Sequence, residues 1–152
     1  MDWMLLPLRR YADFQGRSRR KEYWMFVLLN VIVYVILGVL AFGVFGSAES
    51  FAQIDPEDTA AAYSLFFSGG GLLFVVWWVA VLVPTIAVGV RRLHDRNMSG
   101  WWYLGLTVAS MIPLVGALAG IALFVLMLLP GTPGPNRFGA DPKDPSNSEV
   151  FA

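Results

Sequence analysis

Three stretches of this chain contain no Asp, Glu, Lys, Arg or His: Met25–Phe45, Gly71–Val90 and Trp101–Pro130. A helix on the surface of a soluble domain keeps one polar face, so polar residues return every three or four positions. Uncharged runs of this length fit a different solvent. About 20 apolar residues in a helix rise roughly 30 Å, the thickness of the hydrocarbon core of a bilayer. Charged residues are 14% of the chain and hydrophobic ones 57%, against roughly 25% charged in ordinary soluble domains. The chain reads as an all-α membrane protein.

The first run has 21 residues and only Asn30 as a strongly polar side chain. It is too long for a signal-peptide core and is expected to stay in the protein. Pro84 lies inside the second run and is a candidate kink, which neighbouring helices can accommodate. The third run is long for one crossing, at about 43 Å if straight. One reading is a single long helix bent near Pro113, its excess length absorbed by tilt. The other is a hairpin turning at Ile112–Gly116, whose arms would each fall short of a full span. The single bent helix is favoured, giving three transmembrane helices near residues 25–45, 71–90 and 102–129; the hairpin would make four. These belong to one membrane domain, residues 1–135, followed by a Pro-, Gly- and Asp-rich polar tail, 136–152, that reads as turns running into disorder.

Lys and Arg mark the cytoplasmic side of a membrane protein. Arg9, Arg10, Arg17, Arg19, Arg20 and Lys21 precede the first run, and Arg91, Arg92 and Arg96 follow the second. The loop between those runs, residues 46–64, has no Lys or Arg and carries Glu49, Asp55, Glu57 and Asp58. The N-terminus and the 91–100 loop are therefore expected inside, and the acidic loop outside. A single third helix places the tail outside; a hairpin places it inside. Before the first run, Trp3, Leu5, Leu6, Leu8, Tyr11 and Phe14 among basic residues suit an interfacial segment, broken by Pro7 and Gly16.

Three motifs stand in order along the chain: RRYADFQGRSRRKEYW, RRLHDRNMSGWW and PGTPGPNRFGADP. Together they resemble the small bacterial inner-membrane proteins of the domain of unknown function 805 family, over Leu8 to Pro142. That resemblance implies a multi-span inner-membrane protein and brings no activity, cofactor or partner with it. The family's middle motif typically has a small and a basic residue where this chain has Asn97 and Met98.

The middle motif holds the chain's only histidine. Four charges at the bilayer centre would cost about ten kcal/mol or more, so RRLHD belongs at the interface or against protein. Tyr23, Trp24, Trp101 and Trp102 are placed to act as headgroup-depth anchors, and Ser99-Gly100 to turn the chain and cap the third helix. Arg91, Arg92 and Arg96, with Arg17, Arg19 and Arg20, are candidates for binding a lipid phosphate or other anion. Glu22 is a candidate partner for an arginine of the 91–96 loop, as is Arg17 for Asp95. PNRFG in the tail could fold back on this surface only in the hairpin topology. As catalysts, His94 would be base or nucleophile and Asp95 its orienter, but no Ser, Cys or second His completes a triad. Gly105, Ala109, Gly116 and Gly120 share one face if the third helix is continuous, a small-residue face for close helix packing.

These features weigh against several function classes. No cysteine is present, which removes thiolate chemistry, and one histidine leaves little for a metal site. The net charge of zero gives no bulk attraction to nucleic acid. The runs lack the ionisable groups that ion-coupled carriers place at mid-membrane. What remains first is a non-enzymatic interaction or anionic-lipid-associated factor acting through a basic cytoplasmic face. Its expected partners are membrane lipids, a second copy or another membrane protein, with no cofactor and no metal. The alternatives are a lipid-headgroup-modifying enzyme using His94 and the arginines, or a subunit of an oligomeric channel or transporter.

Overall fold

The computed structural model describes residues 2–41, 43, 58–68 and 70–144. Among them every regular element is a helix: α1 Asp2–Arg9, α2 Arg20–Leu40, α3 Thr59–Ser68, α4 Gly71–His94, α5 Trp101–Ala109 and α6 Gly116–Leu128. Two are long and apolar enough to cross a membrane, α2 with 21 residues and α4 with 24. Most of the acidic 46–64 loop lies outside the described residues; Asp58 accepts the Ala61 amide at 2.9 Å and so caps the start of α3. Pro84 does not end α4, which is assigned as one helix through it. Pro7 likewise sits inside α1, fully buried; the break before α2 falls at Gly16, whose φ of 77° suits glycine.

The chain divides into two compact units, residues 28–82 and the remainder. Within the first of these, Trp77 Nε1 donates to Asn30 Oδ1 at 3.1 Å, so the polar side chain of the first run has its partner inside the protein. Tyr34 and Phe74 stack nearby, 6.1 Å apart and 8° from parallel.

The other unit contains the ends of α2 and α4 together with α1, α5, α6 and the tail. Its apolar centre is Val90, Leu93, Tyr103 and Met127, with Tyr23, Trp24, Ile86, Met98, Leu123 and Leu126 packed around it. Two glycines permit the packing. A Cβ on Gly89 would overlap the Tyr103 ring, and one on Gly100 would come within 2.5 Å of Val90 Cγ1. Gly100 is the N-cap residue of α5 without a side-chain cap; Ser99 Oγ accepts only the Trp101 amide, at 3.4 Å.

Three expectations change here. The third apolar run is not one bent helix. It stops at Ala109, turns through residues 110–115, where Leu114 adopts φ 70°, and returns as α6. Pro113 cannot donate a backbone hydrogen bond, and the last turn of α5 closes on itself through Ser110 N to Leu106 O and Ile112 N to Ala109 O. The small-residue face therefore does not exist as one surface. Gly105 and Gly120 face open space, Ala109 ends one arm, and Gly116 closes the turn against Ser110 O. The polar tail also does not begin as loose chain at residue 136. Asn136 to Asp144 are described and bonded, with Asn136 and Gly139 exchanging both backbone hydrogen bonds at 3.0 Å.

Candidate functional site

The last turn of α4 ends in Arg91-Arg92-Leu93-His94 and is followed by Asp95. Cations in the last turn of a helix complement its dipole. Here they also meet acids from other segments. Asp95 is the hub. Its Oδ1 takes Arg17 Nη2 at 2.9 Å, and its Oδ2 takes Arg92 Nη1 at 2.6 Å. Arg91 Nη2 pairs with Glu22 Oε1 at 2.9 Å. All five side chains are at most 4% exposed.

Two carboxylates facing three guanidiniums leave an excess of donors, and backbone carbonyls absorb most of it, with Arg91 Nε buried and unpartnered. Arg17 Nη1 donates to Gly134 O and Nη2 to Thr132 O, both at 2.6 Å. Arg92 donates to Met127 O at 3.3 Å and to Leu129 O. These are carbonyls at the C-terminal end of α6, groups a helix cannot satisfy internally. Arg91 Nη1 donates to Asp13 O, and the Ser18 amide donates to Arg91 O at 3.1 Å. Thr132 binds Asp95 O through both its amide, at 2.8 Å, and its hydroxyl, at 3.1 Å. Gly131 must be glycine, because a Cβ there would overlap the Asp95 carboxylate. The result joins the segment before α2, the end of α4, the end of α6 and the tail through buried polar contacts. Buried charges persist only when paired and hydrogen-bonded in this way.

His94 lies beside the hub. Its Nδ1 is 3.2 Å from Gly16 O, so that nitrogen carries the donated hydrogen. Its ring stacks on Phe138, 3.9 Å apart and 4° from parallel, and its carbonyl accepts Asn136 Nδ2 at 2.9 Å. Arg137 closes the tail over the loop, donating to Asn97 O at 3.1 Å with its guanidinium 4.7 Å from the Phe138 ring. Asn97 has φ 59°, a conformation asparagine tolerates better than most residues. At the rim, the Asp13 carboxyl is held below its usual range. Burial pushes it up, and the hydrogen bonds from Arg10 and the Gln15 amide, with the nearby Arg10 and Arg91 charges, outweigh that.

Residues 11–140 match the family described as "Protein of unknown function (DUF805)". The chain belongs to the DUF805 family. It is 39% identical over 143 residues to "Inner membrane protein YhaH" of Escherichia coli (strain K12), covering 94% of this chain and 98% of the relative. It is 35% identical over 147 residues to "Inner membrane protein YhaI" of the same strain, covering 97% and 100%. "Uncharacterized protein YiiR" is 29% identical over 150 residues, covering 87% of each. No solved structure matches. With these relatives and its apolar helices, this DUF805 chain is an inner-membrane protein.

The expected Arg17–Asp95 pair is present in this family member, the arginine that pairs with Glu22 is Arg91, and PNRFG does fold back. The candidate anion ligands separate into two groups. Arg17, Arg91 and Arg92 are buried and committed to protein acceptors, so they do not present themselves to a headgroup. Arg20 is exposed and Arg19 and Arg96 are half-buried; Arg9 and Lys21, which are not among those candidates, are exposed as well. Arg20 Nη1 reaches Leu128 O at 3.2 Å. Lys21 and Arg19 stand 5.5 and 5.6 Å from the Trp3 ring centroid of α1. Among the anchors, Trp101 and Trp102 are exposed, whereas Tyr23 and Trp24 turn inward; Trp24 meets Phe124 edge-on at 5.6 Å. As for catalysis, both Asp95 oxygens are taken by arginines, so Asp95 does not orient the His94 ring. Among the described residues, no three His, Asp or Glu side chains converge to form a metal site.

Sequence reading missed Gly131, Thr132, Asn136 and Phe138 as individual parts of the site. A lone aromatic in a Pro/Gly tract was the available signal for Phe138. Thr132 and Gly131 act through the backbone and through absent volume, which leave no mark in a side-chain pattern.

Proposed function

We propose that the chain is a multi-span inner-membrane protein with its N-terminus, its 91–100 loop and its 131–144 tail in the cytoplasm, and that the face they form associates with anionic lipid headgroups without catalysing a reaction. The asymmetry of nine Lys and Arg in the two flanking segments against none in residues 46–64 supports that orientation. The observation that carries the lipid reading is a division of labour. Arg17, Arg91 and Arg92 are used up in holding the fold. Arg9, Arg20 and Lys21 remain exposed, beside the interfacial α1 and its Trp3. Each cation near an anionic surface contributes about 1 kcal/mol, so this group is worth on the order of a hundredfold in retention. The burial of Asp95 under arginines removes the orienting group a His94 mechanism would use.

The test is native mass spectrometry of protein released from bilayers containing phosphatidylglycerol and phosphatidylcholine. The Arg9→Gln/Arg20→Gln/Lys21→Gln variant is expected to lose retained phosphatidylglycerol and to keep phosphatidylcholine. Equal phosphatidylglycerol retention by the variant and the parent chain would refute the lipid reading.

A further inference from the structure

We infer that α5 and α6 form a re-entrant hairpin: this part of the chain enters and leaves the bilayer through one face, and its apex at Met111–Val115 ends within the hydrocarbon. Length is the first argument. The arms have 9 and 13 residues, rising about 14 and 20 Å, well short of the roughly 30 Å a crossing needs. The base of the hairpin is fixed. Arg92 binds Met127 and Leu129 carbonyls and Arg20 binds the Leu128 carbonyl, while Trp101 and Trp102 stand exposed at the start of the other arm. Both ends therefore lie beside the charge cluster.

The apex is built for oil, not for water or a headgroup layer. Met111, Leu114 and Leu118 are 77%, 97% and 71% exposed, and no charged residue occurs between Trp101 and Pro130. A turn in water ordinarily uses Gly, Asn or Asp where the backbone is left-handed. This one uses Leu114, at φ 70°. Irregular backbone in hydrocarbon must satisfy itself. The Ser110, Met111, Ile112 and Gly116 amides are bonded to carbonyls three or four residues back and residue 113 is proline with no amide to satisfy, which leaves only the Leu114 and Val115 amides of the turn without such a bond. Of the hairpin's three hydroxyl side chains, Tyr103 is buried in the core and the other two behave the same way. Thr107 Oγ1 donates to Tyr103 O and Ser110 Oγ to Thr107 O, both at 2.7 Å. The surface that α5 and α6 present is thus matched to acyl chains, and the complete crossings are α2 and α4. That the hairpin enters from the cytoplasm rests on the orientation proposed above.

The chain has no native cysteine, so single-cysteine labelling needs no prior stripping. Leu114→Cys, with Met111→Cys and Leu118→Cys as alternatives should the left-handed position not tolerate the change, is treated with a membrane-impermeant maleimide in right-side-out and inverted vesicles. Arg20→Cys reports the side of the charge cluster. The expected result is no labelling at position 114 from either side, complete labelling after detergent, and a spin label there that is reached by oxygen and shielded from an aqueous nickel chelate. Labelling of 114 from the face opposite residue 20 would show a full crossing. Labelling from the same face would show a hairpin lying outside the bilayer. Either overturns the proposal. Labelling of Arg20→Cys from outside, with 114 still protected, would keep the re-entrant hairpin and refute the cytoplasmic orientation.

Discussion

Replacing Asp95 with alanine removes the acceptor shared by two guanidiniums that are 2% and 0% exposed. Breaking a buried pair by deleting one partner typically costs about 3–5 kcal/mol, because the surviving charge is left uncompensated. Here each arginine keeps carbonyl acceptors: Thr132 and Gly134 for Arg17, Met127 and Leu129 for Arg92. The expected loss is therefore near the lower bound, about 3 kcal/mol, or on the order of a hundredfold in the folding equilibrium. Asp95→Asn keeps an oxygen for one arginine but turns an amide toward the other, and is expected to fall between. The reference is Arg10→Ala, which breaks the Arg10–Asp13 pair with side chains 28% and 39% exposed and should cost under about 1 kcal/mol. The assay is denaturant unfolding in mild detergent followed by the fluorescence of the six tryptophans. Equal stability of Asp95→Ala and Arg10→Ala would refute the reasoning, since a hub that can be removed at the cost of a surface pair is not holding four segments together.

Gly131→Ala places a methyl group against the Asp95 carboxylate and is expected to cost about 1–3 kcal/mol in the same unfolding assay, with wild-type stability contradicting the close approach. Phe138→Ala removes the ring stacked on His94, a contact worth about 0.5–1.5 kcal/mol beyond its area; limited proteolysis should then cut the 131–144 segment faster while the hairpin stays resistant. The Asp141 carboxyl is held below its ordinary value by hydrogen bonds from the Lys143 and Gly134 amides and by the Arg17 and Lys143 charges. A depressed folded-state pKa contributes stability above the unfolded value, about 3.9, and that contribution is lost as pH falls through the folded value. Cleavage of the tail should therefore rise only below about pH 4, and Asp141→Ala should remove that pH dependence; an unchanged pH profile would contradict the role given to Asp141.

The membrane class and two of the three buried ion pairs, Arg17–Asp95 and that of Glu22 with a loop arginine, were legible in the sequence because they rest on side-chain chemistry: uncharged runs, and acids beside bases at the ends of runs that must share an interface. The hairpin was legible only as the less favoured of two readings. The residues on either side of Pro113 are equally apolar, so periodicity continues through the turn, and the deciding facts are a left-handed Leu114 and the capture of the α6 carbonyls by Arg92 and Arg20. One error then carried another with it, since the Gly105–Gly120 face presupposed an unbroken helix. The tail read as loose chain because Pro and Gly dominate it. Its order comes from backbone carbonyls offered to Arg17 and from the space Gly131 leaves for Asp95. The arginines were identified as a group, but which would be buried against protein and which left exposed depends on acceptors supplied by distant backbone.

The three motifs meet at the Asp95 hub. Single cysteines at Arg20, Ser99 and Arg137, labelled with an impermeant reagent in intact cells and in inverted vesicles, test this most directly. All three are predicted to react only in the inverted vesicles. Reaction of Arg137→Cys in intact cells, with the other two protected, would separate the tail from the Asp95 hub and contradict the structure's central connection.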